Sequence, residues 1–235
     1  MLILAFDTTS EHGGAAIFRD QDCLAKVRND RPASYSITLF EMVDGLLARC
    51  GVALRDIELF AVANGPGSFT GIRVGLAAAQ AWARALERPA RGVTVFEAMV
   101  EEVRPESAWA VPLLDARRGE FYLEKFRRTE APSGYRFQAG GEGQTLGPSA
   151  IRSSLEELLR SGDTVTCLVR EPDLAVQSLR ASLPGALRWE VVETPPLAGI
   201  ARAAIAAFEK EPTLPTGGLD AYYIRRPDAE LLWRG

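Results

Sequence analysis

An acidic, hydroxyl-rich turn, Asp7-Thr8-Thr9-Ser10, directly follows the apolar run Leu2 to Phe6. Hydroxyls and backbone amides at such a turn can hold a phosphate, and the carboxylate can hold a hydrated magnesium ion. Asp115 ends a second apolar run in the later half of the chain. One interpretation of Asp7, Thr8, Thr9 and Asp115 is a vestigial nucleotide cleft. The alternative for Asp7 is a turn in which Asp and Thr hydrogen-bond their own backbone. The alternative for Asp115 is a solvated hairpin tip.

A glycine-rich segment, Asn64 to Arg73, lies between a predicted strand and a predicted helix. Free amides at a helix start suit an anion, but the segment lacks the GxxxxGK(S/T) pattern of phosphate-binding loops and has no lysine nearby. A structural role explains more, because Ser68 or Thr70 can cap the helix. Small residues then recur every four positions and predict a flat stripe for close helix packing, formed by Gly71, Gly75 and Ala79.

Apolar residues cover more than one side of the predicted helix from Ser34 to Cys50. Because one sheet buries only one side of a helix, the outer residues need another cover. We predict an exposed stripe beside the small-residue stripe of the next helix, and together they form a helix-helix docking surface. Its predicted residues are Tyr35, Leu39, Met42, Leu46, Gly71, Arg73, Gly75, Leu76 and Ala79. The alternative is a first helix buried wholly within its domain.

Residues for metal or nucleophilic catalysis are scarce. His12 is the only histidine, so a zinc hydrolase site with two histidines cannot be assembled. A Ser-His-Asp or Cys-His arrangement would need His12 itself, and no GxSxG signature accompanies it. The three cysteines are far apart and lack CxxC spacing, so they predict neither a disulfide framework nor a zinc site. We therefore predict no catalytic residue and no metal ion.

The composition is that of a globular protein. The 235 residues are 47% hydrophobic and 25% charged, with a net charge of -4. Nucleic-acid binders usually carry an overall positive field, so any RNA is expected to be held mainly by another subunit. The chain has no signal-peptide pattern and no apolar stretch of the ~20 residues that span a membrane. We expect a cytoplasmic protein.

The predicted elements follow the order βββαβαβα twice, once in each half of the chain, which indicates a duplicated α/β fold. In the second half the first three strands are predicted at Trp109 to Asp115, Glu120 to Arg127 and Tyr135 to Gln138, with a loop from Gly140 to Gly147. Pro105 interrupts the chain between the halves. We therefore predict two subdomains, 1–104 and 105–235, with the last residues returning to the first subdomain.

Four segments, in the right order and at the right distances, resemble the TsaB (YeaZ) family: Ile3 to Ser10, Gly65 to Gly75, Asp115 to Tyr122 and Tyr222 to Arg225. The resemblance spans essentially the whole chain. It implies an actin-like and Hsp70-like nucleotidyl (ASKHA) fold in two subdomains, which agrees with the repeated element order. One departure is Tyr35-Ser36, where many family members have a His-Ser pair.

The resemblance also implies a role in making N6-threonylcarbamoyladenosine at position 37 of tRNAs that read ANN codons. In that family TsaB does not perform the transfer. Its paralogue TsaD carries the metal and the catalytic site, and TsaE is an ATPase of the same assembly. Family members form homodimers through the first two helices and use the same surface for TsaD. No cofactor of its own is implied, with ATP or ADP acting in the assembled complex and tRNA bound mainly through it.

Two other functions compete with a scaffold role. The first is an independent ATP-binding ATPase or phosphotransferase of the same fold, which would use Asp7 and Asp115 around a magnesium nucleotide. The second is the glycoprotease activity named for this superfamily, which a single histidine disfavours.

Overall fold

The computed structural model describes residues 1–29, 35–131, 134–170, 174–212 and 219–225. The strands are β1 (Leu2–Asp7), β2 (Gly14–Arg19), β3 (Asp22–Arg28), β4 (Leu59–Ala63), β5 (Ala90–Val93), β6 (Trp109–Asp115), β7 (Phe121–Leu123), β8 (Phe126–Ala131), β9 (Gly134–Ala139), β10 (Gln144–Leu146), β11 (Val165–Arg170) and β12 (Arg188–Val192). The helices are α1 (Tyr35–Cys50), a short 3-10 turn (Leu54–Asp56), α2 (Phe69–Leu86), α3 (Val95–Val103), α4 (Pro148–Arg160), α5 (Leu174–Ser182) and α6 (Leu197–Lys210). The predicted first residue of the first helix, Ser34, lies outside the described residues.

The chain divides into two compact units, residues 1–102 with 194–235 and residues 103–193. The sheet of the first unit has the strand order β3-β2-β1-β4-β5, in which β1 pairs antiparallel with β2 and parallel with β4. The main path of the second sheet is β10-β7-β6-β11-β12. In the second sheet, β10, β7 and β6 take the places that β3, β2 and β1 have in the first, and β11 and β12 take the places of β4 and β5. The repeated topology confirms the predicted duplicated α/β fold.

The second and third strands of the second unit are longer and more broken than predicted. The single strand predicted from Glu120 to Arg127 is two strands, β7 and β8, and the predicted loop from Gly140 to Gly147 contains β10. The break in the third strand falls at Gly140 and Gly141, residues that weaken a strand. β10 pairs with β7, whereas β9 pairs with β8. The core equivalent of β3 is therefore β10.

The last described helix, α6, belongs to the first unit, whereas the predicted division assigned it to the second. The Gly199 amide donates to a Glu102 side-chain oxygen, and the Arg202 guanidinium donates to the backbone oxygens of Glu101 and Glu102. A side-chain carbon at Gly199 would lie 1.9 Å from the Ala98 carbonyl oxygen. Glycine therefore permits α6 to lie directly against α3.

None of the helices in the described part of the chain is both long and apolar enough to cross a membrane.

Helices α1 and α2 cover one face of the first sheet. Leu4 and Phe6 of β1 belong to the same buried cluster as Leu39 and Leu46 of α1. The side chains of Leu39 and Leu46 are 0% and 1% exposed. Their predicted place on an exposed stripe is therefore wrong, because they form the inner side of α1.

Leu46→Ala is expected to lower the free energy of unfolding by about 2–5 kcal/mol, since it leaves a cavity in a packed core. The matched change Ile37→Ala, on the exposed side of the same helix, is expected to alter it by less than about 0.5 kcal/mol. Urea unfolding of both variants measures this difference. Equal effects of the two substitutions would contradict the burial of Leu46.

Candidate partner-docking face

Two large apolar side chains of α1 project into solvent. Ile37 is 62% exposed and Phe40 is 46% exposed. Because they are three residues apart, they lie on the same side of the helix. The Phe40 ring meets the edge of Trp82 from α2 at 5.6 Å between centroids. We call Ile37, Phe40 and Trp82 the docking patch.

The docking patch stands on the core of the first unit. The half-buried Trp82 ring also lies 5.6 Å from Phe6 and 5.9 Å from Phe60, measured between ring centroids. Phe40 is therefore supported from below by an aromatic column that reaches the sheet. Large apolar side chains held rigidly in solvent are typical of protein interaction sites.

The residues predicted for this surface are mostly inside the first unit. Arg73 is exposed, Met42 is half-buried, and the other seven are buried. Polar residues could have identified the exposed side of α1, because Glu41 and Asp44 follow Ile37 and Phe40 by one helical turn and are exposed. The prediction therefore turned the wrong side of α1 outward, and a docking surface formed by α1 and α2 stays a prediction.

The small-residue stripe of α2 packs against the turn after β1. The Thr8 hydroxyl donates to the Gly71 carbonyl oxygen at 2.7 Å. A side-chain carbon would lie 1.9 Å from the Thr8 carbonyl oxygen at Gly71, and 2.4 Å from the Thr8 hydroxyl at Gly75. The stripe is therefore occupied by this chain itself, and the prediction that it accepts another helix at these positions is wrong.

The glycine-rich loop before α2 lies against the same turn. The Ser68 amide donates to the Thr9 carbonyl oxygen at 2.7 Å, while the Ser68 hydroxyl accepts from the Gly71 amide at 3.3 Å and caps the helix. A side-chain carbon at Gly67 would lie 2.3 Å from the Thr9 carbonyl oxygen. Loop and turn thus contact each other directly, which fits the structural role rather than anion binding.

Asp7 and Asp115 have the same local role in the two units. A carboxylate oxygen of Asp7 accepts from the Thr9 amide at 2.7 Å and from the Thr9 hydroxyl at 2.6 Å. A carboxylate oxygen of Asp115 accepts from the Arg117 amide at 2.7 Å. Each aspartate thus bonds the backbone two residues ahead, as in the turn alternative.

Tyr35 closes the start of α1 onto the β1–β2 turn. Its hydroxyl accepts from the Gly13 amide and donates to the Ser10 carbonyl oxygen, both at 2.7 Å. Burial raises the pKa of Tyr35, and the Asp7 and Glu11 carboxylates raise it further, while hydrogen bonds from Asn29 and Gly13 partly offset the increase. Tyr35 is therefore a structural residue of the first unit.

The described C-terminal segment 219–225 lies along α2. The Tyr222 amide donates to the Asn64 carbonyl oxygen at 2.8 Å, and the Asn64 side-chain amide donates to the Asp220 carbonyl oxygen at 3.0 Å. The Tyr223 ring lies 5.2 Å from the Phe69 ring. The Arg73 guanidinium stacks 3.7 Å above Phe69. Sequence reasoning missed this exposed aromatic and arginine cluster, although it identified the tyrosine pair as a family motif.

Metal-ligand clusters and the buried thiol Cys167 are the remaining features of the described chain that bear on its chemistry. No three His, Cys, Asp or Glu side chains there lie close enough to hold a metal ion. Burial raises the pKa of the Cys167 thiol to about 12, so it is protonated at neutral pH and is a poor nucleophile. The feature with clear interaction chemistry in the first unit is the docking patch.

Gly71→Ala is expected to destabilise the protein by about 1–3 kcal/mol, because the added carbon collides with the Thr8 backbone. Gly45→Ala in α1 is the matched control, since nothing lies within 4 Å of the added carbon. The control is expected to stabilise by about 0.5–1 kcal/mol through helix propensity. Thermal and urea unfolding measure whether each substitution lowers or raises the free energy of unfolding. Stabilisation by Gly71→Ala would contradict the packing of α2 against the turn.

Tyr35→Phe is expected to lower the free energy of unfolding by about 1–3 kcal/mol at neutral pH, because the buried Gly13 amide and the half-buried Ser10 carbonyl oxygen lose their partner. The folded pKa of Tyr35 is raised above the unfolded value, so its contribution is fully present below about pH 10. The contribution is lost as the pH rises through the folded pKa. Unfolding curves from pH 7 to 11 should therefore show the variant and the parent converging. A constant difference would argue against this role.

A family model described as "TsaD: tRNA N6-adenosine threonylcarbamoyltransferase" matches residues 32–139. The Escherichia coli tRNA threonylcarbamoyladenosine biosynthesis protein TsaB is 33% identical over 169 residues, covering 71% of this chain and 70% of the relative. The Bacillus subtilis protein of the same name is 34% identical over 122 residues, covering 52% of this chain and 53% of the relative. This second match therefore spans about half the length of the relative.

Solved structures have the same fold. A Pseudomonas aeruginosa protein described as similar to the peptidase YEAZ has a TM-score of 0.74 at 22% identity, covering 95% of this chain and 99% of that chain. YeaZ from the same organism has a TM-score of 0.69 at 20% identity, covering 94% and 99%. These structures support the fold, and the E. coli relative supports the ancestry over more than two thirds of both chains. The chain belongs to the TsaB (YeaZ) family.

Proposed function

We propose that this protein is a non-catalytic scaffold subunit of the complex that makes N6-threonylcarbamoyladenosine at position 37 of ANN-decoding tRNAs, and that it docks and activates the catalytic paralogue TsaD. The observation that carries the proposal is the docking patch. Ile37 and Phe40 are large and exposed, and Phe40 packs against the half-buried Trp82, which in turn packs against the buried Phe6. Burying them against a partner would remove apolar area from water, at about 25 cal/mol for each Å².

The proposed partner is a protein of related fold. The TsaD family model covers residues 32–139, and this range includes α1 and α2. A partner with a related helix pair can present a comparable apolar surface, so two such pairs can pack as a four-helix contact. The same argument allows a second copy of this chain to occupy the patch in the absence of TsaD, as a symmetric homodimer. Homodimer and TsaD would then compete for one surface.

The rest of the proposed assembly follows from the family. TsaE supplies ATPase activity, ATP or ADP acts in the assembled complex, and tRNA is held mainly by the complex. The proposed location is the cytoplasm. We propose that this chain needs no cofactor of its own, and the hydrogen bonds of the Asp7 and Asp115 carboxylates to their own turns support this proposal. Tight binding of magnesium ATP to the isolated chain, measured by calorimetry, would instead favour the ATPase or phosphotransferase alternative.

Ile37→Glu with Phe40→Glu is expected to abolish the complex with TsaD, because buried unpaired carboxylates oppose association. Size-exclusion chromatography with light scattering measures the stoichiometry with TsaD from the same organism. Leu39 and Leu76 are not substituted, because a glutamate at either of these buried positions would unfold the chain.

The matched control is Leu24→Glu with Val191→Glu, which also replaces two exposed apolar residues by glutamate, away from the patch. It is expected to retain both the complex and its threonylcarbamoyl transfer activity. If the parent chain and a well-folded TsaD do not associate, even with TsaE and nucleotide, the scaffold proposal fails. Equal loss in the control would show that the patch is not the contact.

A further inference from the structure

The second and third strands of the second unit extend beyond the sheet as an arm. In the first unit, β2 ends at Arg19, which pairs with the first residue of β1, Leu2. In the second unit, the first residue of β6, Trp109, pairs with Arg127, but β8 continues to Ala131. The Arg128 amide still donates to the Ala108 carbonyl oxygen at 2.9 Å. Within the described chain, residues 129–131 pair only with β9. We call residues 127–131 and 134–138 the arm.

The two faces of the arm differ in charge. Alternation along the strands places Arg128, Glu130, Tyr135 and Phe137 on one face. The other face carries the exposed Arg127, Arg136 and Gln138 with the half-buried Thr129. It contains no acidic residue. We call this second side the basic face.

The arginines opposite the basic face are used within the unit. The Arg128 guanidinium stacks 4.1 Å from the Tyr135 ring centroid and donates to the Glu106 carbonyl oxygen. The Arg104 guanidinium lies 5.1 Å from the same ring and donates to the Tyr135 carbonyl oxygen at 2.9 Å. The Tyr135 hydroxyl donates back to the Arg104 carbonyl oxygen at 2.7 Å. These contacts fix the arm against residues 104–106.

The arginines of the basic face lack carboxylate partners, although the Arg127 guanidinium lies 5.8 Å from the Trp109 ring centroid. Among the described residues, neither Arg127 nor Arg136 forms an ion pair with a carboxylate. Glu130 points to the opposite face, and Asp163 accepts a hydrogen bond from the neighbouring Trp109 at 2.9 Å. Diagonal residues on one face of a strand pair are about 7–8 Å apart, and like charges repel there. An anionic partner would relieve this repulsion.

We propose that the basic face of the arm binds the phosphate backbone of the RNA substrate, an inference that rests on the proposed function. Arginines, a hydroxyl and an amide on an extended ribbon match the mixture of side chains that contact phosphate oxygens. The net charge of -4 gives the whole chain no general attraction for RNA, so the contact is local. The arm would orient tRNA in the complex and would not read its bases.

Fluorescence anisotropy of a labelled tRNA transcript that reads an ANN codon tests the proposal with the full chain at about 50 mM salt, in the salt range where phosphate contacts are strong. Arg127→Glu with Arg136→Glu is expected to weaken binding by about tenfold or more. It should also reduce the slope of log affinity against log salt by about 2, one for each lost phosphate contact. The matched control is Arg55→Glu with Arg188→Glu, which makes the same change in net charge at exposed positions elsewhere.

Retained binding in the control and loss in the arm variant would support the proposal. Arg127→Lys with Arg136→Lys should restore the salt slope, because it restores the charges. No binding by the parent chain, or equal binding by arm and control variants, would overturn the proposal. Equally effective competition by polyglutamate of matched length would also overturn it, since the face would then select an acidic protein.

The complex with TsaD separates this proposal from the function on which it rests. The arm variant should still co-elute with TsaD in size-exclusion chromatography, because the arm is distinct from the docking patch. Loss of RNA affinity with an intact complex would support both the arm proposal and the scaffold function. An intact complex with unchanged RNA affinity would overturn only the arm proposal, whereas failure of the parent chain to bind TsaD would overturn the scaffold function.

Discussion

The packing of the β1–β2 turn against the start of α2 is the contact on which the docking patch depends. Thr8 bonds the Gly71 carbonyl oxygen, and Thr9 accepts from the Ser68 amide. These bonds fix where α2 begins and how it lies on the sheet. Trp82, three turns further along the helix, is thereby held over Phe6 and under Phe40. Gly71 and Gly75 are needed because a side chain at either position would collide with the turn. The exposed surface of α2 lies elsewhere on the helix.

Much of the architecture was predictable from the sequence, because buried strands and glycine-marked turns leave strong local patterns. The sequence also indicated that α1 carries more apolar residues than one sheet can cover, and Ile37 and Phe40 are indeed exposed. The rotation of α1 was not, since apolar residues on several sides leave the phase of a helix undetermined. Leu39 is inside and Phe40 is outside, and the polar Glu41 and Asp44 are among the few residues that mark that difference.

Features that depend on long-range pairing escaped the sequence. The short strand β10 has only three residues and is specified by its pairing with β7 rather than by its own composition. The site residues Asp7 and Asp115 were found correctly as equivalent positions. Their bonds to their own turns could not be distinguished from ligand binding, because the same residue types serve both purposes.

The first unit is assembled from two separate stretches of chain, with the whole second unit between them. During synthesis, the sheet that carries the docking patch is complete by β5, but α6 is made only after the second unit. Ile200 and Ala204 of α6 are fully buried in the finished protein. Until these residues leave the ribosome, the apolar surface that they cover stays exposed. The packing of the first unit is therefore completed only after the second unit has been synthesised.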